Sequence, residues 1–250
     1  MYIMSIDQGT TGSTVILLNQ QGDLVAKHNE EFRQIFPKPG WVEHDPEDIW
    51  KSVLKSIEKV LEMSHIQPQQ IAGIGITNQR ETVVAWNRRT GQAYHNAIVW
   101  QCRRTQDFCE LLKKNKKQKI IQSKTGLVID PYFSGSKIRW LLKNVPAAKL
   151  ALQNKELCVG TIDSFLLFRL TAGQSFKTDV SNASRTMLMN IKTGNWDKEL
   201  LKLFSVPESI LPEICPSSGV FGVTDGLELI PNGIPIAGIA GDQQAALFGQ

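Results

Sequence analysis

Three short runs of apolar and β-branched residues open the chain, and clusters of turn-forming residues separate them. The runs cover residues 2–6, 14–18 and 24–27, and the turns between them lie at residues 7–13 and 19–23. Runs of this length, bounded by glycine, asparagine and aspartate, are typical of β-strands. Short links favour antiparallel pairing of successive strands. The N-terminal segment is therefore predicted to form an antiparallel meander of three strands.

A helix is predicted to follow the meander. Asp45 is a good N-cap, and Pro46 suits the first helical position. Apolar residues then recur at three- and four-residue spacing, namely Ile49, Val53, Ile57 and Val60. Strand-like runs return at residues 71–77 and 83–86. Strands, a helix and strands again predict an α/β fold with a mixed β-sheet that is flanked by helices and contains a crossover.

The rest of the chain is predicted to be helical in its middle and to return to strands near its end. Apolar residues at helical spacing cover 104–114, 136–143 and 164–170, and strand-like runs cover 219–223 and 234–239. The lysine-rich tract at 113–119 contains no aromatic residue, which favours a solvated helix end over a nucleic-acid patch. The sequence stops within a helix-like apolar stretch at 245–250, so we expect it to be a fragment of a longer protein.

Composition and charge argue against several classes of protein. The 250 residues are 42% hydrophobic and 21% charged, with a net charge of +4. This ordinary globular balance does not favour nucleic-acid or membrane partners, and no apolar run approaches the roughly 20 residues needed to cross a bilayer. The four cysteines have no Cys-x-x-Cys spacing, so structural zinc is not expected. No signal-peptide pattern opens the chain, and a cytoplasmic location is predicted.

The turn between the first two strands has the composition of a phosphate-binding loop. Gly9 and Gly12 would let backbone N–H groups approach an anion closely. Asp7 ends the preceding strand, where it could hold Mg²⁺ through water. The segment is not a P-loop, because it lacks the Gly-Lys ending and precedes a strand. It is similar to the phosphate hairpin of actin-like ATPases, although a polar turn without a ligand fits the same pattern.

Seven segments, in order along the chain, resemble the glycerol kinase family of carbohydrate kinases. They read DQGTT, PKPGWVEHD, GITNQRET, NAIVWQCRR, TGLVIDPYFS, NASRTM and GIAGDQQ, at residues 7–11, 37–45, 75–82, 96–104, 125–134, 182–187 and 238–244. Several of these blocks are long, and together they extend over nearly the whole chain. Chance does not explain a resemblance of this extent.

The resemblance implies a ribonuclease-H-like domain of the actin-like ATPase superfamily. Members of the family close two such domains over a cleft, with the polyol mainly on the first and the adenosine of ATP on the second. Residues 1–250 would be the N-terminal, polyol-binding kinase domain, and the C-terminal nucleotide domain would be absent from this chain. The implied activity is ATP-dependent phosphorylation of glycerol to sn-glycerol 3-phosphate, with ATP and Mg²⁺ as cofactors and a homo-oligomer as the full-length form. The isolated half is expected to be inactive alone.

The resemblance also implies residues that bind glycerol. Arg80 and Glu81 would hold its hydroxyl groups, and Tyr132 would add a further hydroxyl. Trp100 would form the aromatic wall against the carbon backbone, and Gln243 would hold another hydroxyl. Without the resemblance, a surface ion pair between Arg80 and Glu81 and a core position for Trp100 are the simpler readings.

Asp242 is implied to be the catalytic base, which accepts the proton of the attacking hydroxyl. The alternative from the residues alone is that Asp242 caps the terminal helix, and both roles are compatible. Asp7 is implied to be the metal-binding residue. The phosphates of ATP are implied to contact the loop residues Thr10, Thr11, Gly12, Ser13 and Thr14.

Two departures from the family pattern stand out. Thr14 occupies the position where the family usually has an arginine, so a phosphate-facing cation is missing. The acidic stretch at 225–229 replaces a glycine- and lysine-rich loop that binds a phosphorylated sugar regulator in some relatives. The alternatives to a glycerol kinase are a related kinase for a larger sugar such as xylulose, and a non-catalytic actin-like binding module.

Overall fold

The computed structural model describes residues 1–250 and contains fourteen β-strands and nine α-helices. The strands are β1 Tyr2–Gln8, β2 Gly12–Leu18, β3 Leu24–Glu31, β4 Glu43–His44, β5 Ile71–Asn78, β6 Val83–Asn87, β7 Ala97–Ile98, β8 Leu157–Thr161, β9 Lys177–Asp179, β10 Met189–Asn190, β11 Asn195–Trp196, β12 Glu213–Cys215, β13 Ser218–Val223 and β14 Pro235–Gly241. The helices are α1 Pro46–Ser64, α2 Gln106–Lys114, α3 Gln118–Thr125, α4 Ser134–Asn144, α5 Pro146–Gln153, α6 Ile162–Leu170, α7 Val180–Ala183, α8 Lys198–Phe204 and α9 Asp242–Gly249. Short 3₁₀ turns lie at Pro68–Gln70 and Glu208–Ile210.

The main sheet has six strands in the order β13-β14-β5-β1-β2-β3. The predicted meander is confirmed, because β1, β2 and β3 pair antiparallel. The crossover is confirmed as well: α1 returns the chain to β5, which lies parallel to β1, and β14 lies parallel to β5 on its other side. The sheet is therefore mixed, as the alternation of strands and helix predicts.

Helix α1 packs on one face of this sheet. The Asp45 carboxylate accepts from the backbone N–H of Glu47 at 2.9 Å, which confirms the predicted N-cap. The helix ends at His65, whose φ of 53° is left-handed. The apolar stripe of α1 is buried against the inward-facing residues of β1 and β2 in one core cluster, which includes Ile49, Val53, Ile57, Val60, Met4, Ile6, Val15 and Leu17.

The predicted strand at residues 83–86 exists as β6, but it does not extend the main sheet. It lies in a second sheet with the order β4-β7-β6-β8. Glu81, with a left-handed φ of 62°, lies in the turn that separates β5 from β6. Val84 and Trp86 point into the first core, while Val83 and Ala85 point into a second. Strand β6 therefore divides the hydrophobic interior in two.

The remaining predicted elements are present with small shifts of their ends. The three helices predicted in the middle of the chain are α2, α4 and α6, and the late strands are β13 and β14. The lysine-rich tract covers the end of α2 and the start of α3 and is mostly exposed. Strand β8 and helix α5 lie where no element was predicted. None of the helices combines the length and the apolar character that a membrane crossing requires.

The carboxyl ends of three parallel strands meet at one edge of the main sheet. Asp7 near the end of β1 is paired with Thr77 of β5, and Gly241 at the end of β14 is paired with Asn78. The turn after β5 and the first residue of α9 therefore emerge side by side. This edge is where open α/β sheets commonly bind ligands.

Candidate active site

Arg80 and Asp242 form an ion pair at this edge. The Nε of Arg80 donates to Oδ1 of Asp242 at 3.0 Å, and its Nη1 donates to Oε1 of Gln244 at 3.3 Å. The Arg80 side chain is 4% exposed, whereas the Asp242 side chain is 48% exposed. A buried guanidinium thus holds a carboxylate that remains open to solvent. The structure brings the predicted base and the predicted substrate-binding arginine into direct contact.

Asp242 is the first residue of α9, and Gly241 is the N-cap. Oδ1 of Asp242 also accepts from the backbone N–H of Gln243 at 2.7 Å. Both hydrogen bonds use the same oxygen, so Oδ2 is free to accept from a ligand. The side chain of Gln243 is exposed beside it and makes no hydrogen bond within the protein. The alternative that Asp242 caps this helix is therefore wrong, because the N-cap is Gly241 and, among the N–H groups of the helix, the Asp242 carboxylate accepts only from the next one.

Glu81 does not pair with its neighbour Arg80. Its Oε1 accepts from Nε of Arg185 at 2.6 Å, and the residue is 1% exposed. Burial raises the pKa of Glu81, and the charges of Arg185, Arg80 and Lys137 oppose that shift. The alternative of a surface ion pair between residues 80 and 81 is therefore wrong: each residue is buried and has a distant partner.

Trp100 and Tyr132 form an aromatic corner beside this pair of residues. Their ring centroids are 5.5 Å apart at an interplanar angle of 65°. The Arg185 guanidinium lies 5.7 Å from the Tyr132 ring centroid. Burial raises the pKa of the Tyr132 hydroxyl, and the Glu81 charge adds to that effect. Trp100 is partly exposed rather than a core residue, and its Nε1 donates to Oγ1 of Thr10 at 3.0 Å.

The turn between β1 and β2 is tight and has exposed threonine at its tip. The N–H of Gly9 donates to the carbonyl of Gly12 at 2.9 Å and closes the turn. A Cβ at Gly12 would lie 2.8 Å from the carbonyl oxygen of Glu30, so a side chain does not fit there. Thr10 and Thr11 are partly or fully exposed at the tip. This arrangement leaves the loop open to an anion.

Ser13 departs from the prediction that its hydroxyl faces a phosphate. The residue is fully buried, and its Oγ shares a hydrogen bond of 2.7 Å with Oγ of Ser52 on α1. Side chains alternate across a strand, so Ser13 points to the helix-covered face, opposite Asp7 and Thr14. Oγ1 of Thr14 donates to Oδ1 of Asn29 at 3.0 Å on the open face.

A buried polar network supports the loop from beneath. Nε2 of Gln34 donates to the carbonyl of Thr10 at 3.0 Å, and its Oε1 accepts from Nε2 of His44 at 2.7 Å. Nε2 of Gln79 donates to Oε1 of Gln8 at 3.0 Å and to the carbonyl of Gly9 at 3.2 Å. Burial lowers the pKa of His44 to about 4, so the ring is neutral near pH 7. The loop is thus fixed by uncharged hydrogen bonds.

A family model described as the FGGY family of carbohydrate kinases, N-terminal domain, matches residues 2–249. The chain belongs to this family. The FGGY chain is 67% identical over 249 residues to a glycerol kinase from Bdellovibrio bacteriovorus, and 54% identical over 253 residues to one from Caldanaerobacter subterraneus. Each match covers 100% of this chain and 50% of the relative, so the chain spans half the length of these relatives. The resemblance read from the sequence is confirmed.

Solved structures give the same result for the fold. The FGGY chain superposes on a Plasmodium falciparum glycerol kinase with ADP with a TM-score of 0.93 at 38% identity, over 99% of this chain and 50% of that chain. A xylulose kinase from Rhodospirillum rubrum gives a TM-score of 0.90 at 23% identity, over 99% of this chain and 50% of that chain, which shows the shared fold alone. The predicted fold class is confirmed.

The FGGY chain offers few protein ligands for Mg²⁺. They are the carboxylates of Asp7 and Asp242, and a site with so few protein ligands suits this ion. Burial raises the pKa of Asp7, and the nearby charge of Asp242 raises it further. A divalent cation at this position would relieve the repulsion between these two carboxylates. No group of three or more His, Cys, Asp or Glu residues could hold a metal by itself. Mg²⁺ commonly binds through one or two carboxylates and substrate phosphates, so the residues present fit the ion.

The sequence pattern does not predict the contacts of Arg185 or the network that joins Gln34, His44 and Gln79 to the loop. All four residues lie in or next to the segments that resemble the family. That position is the only sign in the sequence that they belong to the site. Arg185 and its partner Glu81 are separated by 104 positions, and Gln79 and its partner Gln8 by 71. Side-chain pairing over such a distance has no local pattern.

Proposed function

We propose that the complete protein carrying this chain transfers the γ-phosphoryl group of ATP to a primary hydroxyl of glycerol, giving sn-glycerol 3-phosphate. The 250 residues would form the polyol-binding half, and a C-terminal half outside this chain would hold the adenosine. Relatives named glycerol kinase at 67% and 54% identity support this proposal. So does the similarity to a glycerol kinase with ADP.

The Arg80–Asp242 pair is the observation that carries the proposal. It places a donor-rich guanidinium next to a solvent-facing carboxylate with one free oxygen. A small triol needs donors and acceptors for its hydroxyls and an apolar wall for its C–H edge. Arg80 and Gln243 supply polar groups, and the corner of Trp100 and Tyr132 supplies the wall.

In the proposed reaction, Asp242 accepts the proton of the attacking hydroxyl at its carboxylate. The alcohol oxygen forms a bond to the γ-phosphorus, and the bond from that phosphorus to the β,γ-bridging oxygen breaks. ADP leaves with the bonding electron pair. The backbone N–H groups and hydroxyls of Thr10 and Thr11, at the tip of the loop, hold phosphate oxygens. Mg²⁺, when bound near Asp7, neutralises part of the phosphate charge.

Arg80 has two roles in this scheme. Its guanidinium orients Asp242 through Nε, and its remaining N–H groups are available to the glycerol hydroxyls. Glu81, fixed by Arg185, is the acceptor for a further hydroxyl. Positioning of this kind supplies much of the rate enhancement in phosphoryl transfer, because the protein does little covalent chemistry.

The proposal also includes Mg²⁺ as the cofactor, a cytoplasmic location and a homo-oligomer of the complete protein. The donor set at Asp7 supports Mg²⁺. The four cysteines, none of which forms a disulfide, support the cytoplasmic location. The oligomer rests on the family resemblance alone.

Calorimetric titration and a kinase assay test the proposal. The 250-residue chain is titrated with glycerol and with xylulose, and the complete protein is assayed for ADP release with each. Glycerol should bind the chain and be turned over by the complete protein, with xylulose much poorer in both. The isolated chain should show little or no turnover. Preference for xylulose, or binding of neither compound with no ADP release, would reject a glycerol kinase.

A further inference from the structure

Lys137 is a fully buried lysine that no step of the proposed reaction uses. It is 0% exposed and lies in the first turn of α4. No carboxylate lies within salt-bridge distance of its ammonium group. Buried lysines are rare unless they are paired, because removing a charge from water costs free energy. Burial lowers the pKa of Lys137 to about 7, and the charges of Glu81, Cys102, Cys109 and Asp130 oppose that shift.

The ammonium group is satisfied by one turn of backbone. Nζ of Lys137 donates to the carbonyl of Pro131 at 2.7 Å, to that of Tyr132, and to that of Phe133 at 3.3 Å. Helical side chains point toward the helix N-terminus, which explains how Lys137 reaches the residues just before α4. The Lys137 nitrogen therefore faces three carbonyls of the turn that carries Tyr132.

The location of this charge is unfavourable for helix stability. The N-terminal end of a helix carries partial positive charge, so a cation in the first turn is disfavoured. A linear apolar side chain at position 137 would avoid both this repulsion and the burial of a charge. The lysine offsets these costs with its three carbonyl contacts, all of which are made to the turn of Pro131, Tyr132 and Phe133.

The same turn is held from its other side by Asp130. Oδ1 of Asp130 accepts from the N–H of Tyr132 at 2.8 Å and from Nη1 of Arg103 at 2.9 Å. The Oγ of Ser134 donates to the carbonyl of Glu81 at 3.1 Å, which ties the turn to the Arg80–Glu81 segment. Both the N–H and the carbonyl of Tyr132 are thus bound by side chains.

We infer that Lys137 is a positioning residue, whose ammonium clamps the backbone of residues 131–133 and thereby holds the Tyr132 ring against Trp100 as the wall of the polyol site. The link to glycerol rests on the proposed function. The clamp itself does not, because it depends only on the contacts of Lys137 with the turn.

The chain contains three tyrosines, Tyr2, Tyr94 and Tyr132, so ring-labelled tyrosine gives an NMR spectrum with few signals. Lys137→Met keeps a linear side chain and removes the hydrogen-bond donors. In Tyr132→Phe the ring signal of Tyr132 disappears, which identifies that signal in the spectrum. The Tyr132 ring signal should move or broaden in Lys137→Met, while the Tyr94 signal stays in place. Lys143→Met, on the exposed part of α4, is the matched control and should change neither signal.

Glycerol titration of the same variants measures the consequence for binding. Lys137→Met should weaken glycerol binding about tenfold, whereas Lys143→Met should match the wild type. If Lys137→Met does not fold, Lys137→Gln, which keeps two N–H donors on a shorter side chain, should give a smaller change of the same kind.

The outcomes separate the clamp from the proposed function. A Tyr132 signal and a glycerol affinity that are both unchanged in a folded Lys137 variant overturn the inference. So does a displaced Tyr132 ring with unchanged glycerol affinity, because the ring would then not form the wall. A wild-type chain that binds no glycerol, while the Tyr132 signal still responds to Lys137→Met, rejects the proposed function and supports the clamp.

Discussion

The side chain of Arg80 passes directly over Gly241, the residue before Asp242. A Cβ built at Gly241 would lie 2.4 Å from Cδ of Arg80 and 2.7 Å from its Cγ. These atoms lie in the middle of a buried side chain, so they cannot move aside without shifting the guanidinium. The glycine is therefore required for the arginine to reach Asp242.

Gly241→Ala is expected to displace Arg80 and to break its hydrogen bond to Asp242. Glycerol affinity of the chain should fall by about tenfold, the equivalent of one charge-assisted hydrogen bond. Calorimetric titration measures the affinity. Gly75→Ala on β5 is the matched control, because a Cβ there would meet nothing within 4 Å. Equal affinities for the two variants would contradict the role assigned to Gly241.

Asp242→Asn should lower kcat of the complete protein by about 10²–10⁴-fold, the usual contribution of a general base. Asparagine retains an oxygen that can accept from Arg80 and from the N–H of Gln243, so glycerol binding should change little. The measurement is the separate determination of kcat and of the glycerol dissociation constant. Glu228→Gln removes one exposed charge from a distant loop and serves as the control. A loss confined to binding would show that Asp242 is not the base.

Thr14→Arg should strengthen the binding of ATP by the complete protein. Thr14 lies on the open face of the sheet, on the strand position paired with Asp7. An arginine there would add a charge-assisted contact to phosphate, which corresponds to an ATP KM lower by about threefold to tenfold. The gain should shrink at high salt, because exposed charges are screened. An unchanged KM at low salt would show that position 14 does not face the nucleotide.

His44 should make the chain less stable as the pH falls. Its pKa is about 4 in the folded protein, against an ordinary value of 6.5, so the unfolded chain binds more protons between these values. Stability is therefore lost as the pH falls through this window, by about 3 kcal/mol in total. Burial causes the low pKa, because the charged ring would lose its hydration, and the neutral ring still donates from Nε2 to Gln34.

Urea unfolding of the wild type and of His44→Gln between pH 7 and pH 4 measures this effect as a difference. The difference is needed because burial raises the pKa of Asp163 to about 6, and its titration opposes that of His44 in the same pH range. The stability advantage of the wild type over the variant should shrink as the pH falls. Parallel pH profiles would contradict the assignment.

Much of the fold follows from local patterns. The meander of β1 to β3, the capped helix α1 and the parallel return in β5 were all predicted from spacing and turn residues. The assignment of β6 to the second sheet was not predicted. A buried strand with apolar residues on both faces has the same sequence pattern in either sheet. The left-handed turn at Glu81 sends the chain to the second sheet, and a glutamate gives no sign of that conformation.

The candidate site, like the fold, was predicted only in part. Its residue types were found through the segments that resemble the family, but their contacts were not. Ser13 was expected to face phosphate and instead contacts Ser52 on α1. Strand alternation would have placed Ser13 opposite Asp7 if the register of β1 and β2 had been known, because a shift of one residue reverses the face of every side chain.

The sequence alone determined which residue types are available and which segments become strands or helices, since periodicity and capping act between residues close in the chain. Only the tertiary structure decided that Arg80 meets Asp242, 162 positions away, that Glu81 pairs with Arg185, and that Lys137 closes on the turn of Tyr132. Two of these contacts join distant segments, and they depend on which segments the fold places side by side: β14 lies next to β5, and α7 lies next to β14. The third depends on the burial of a charge, which no local pattern of polar and apolar residues reveals.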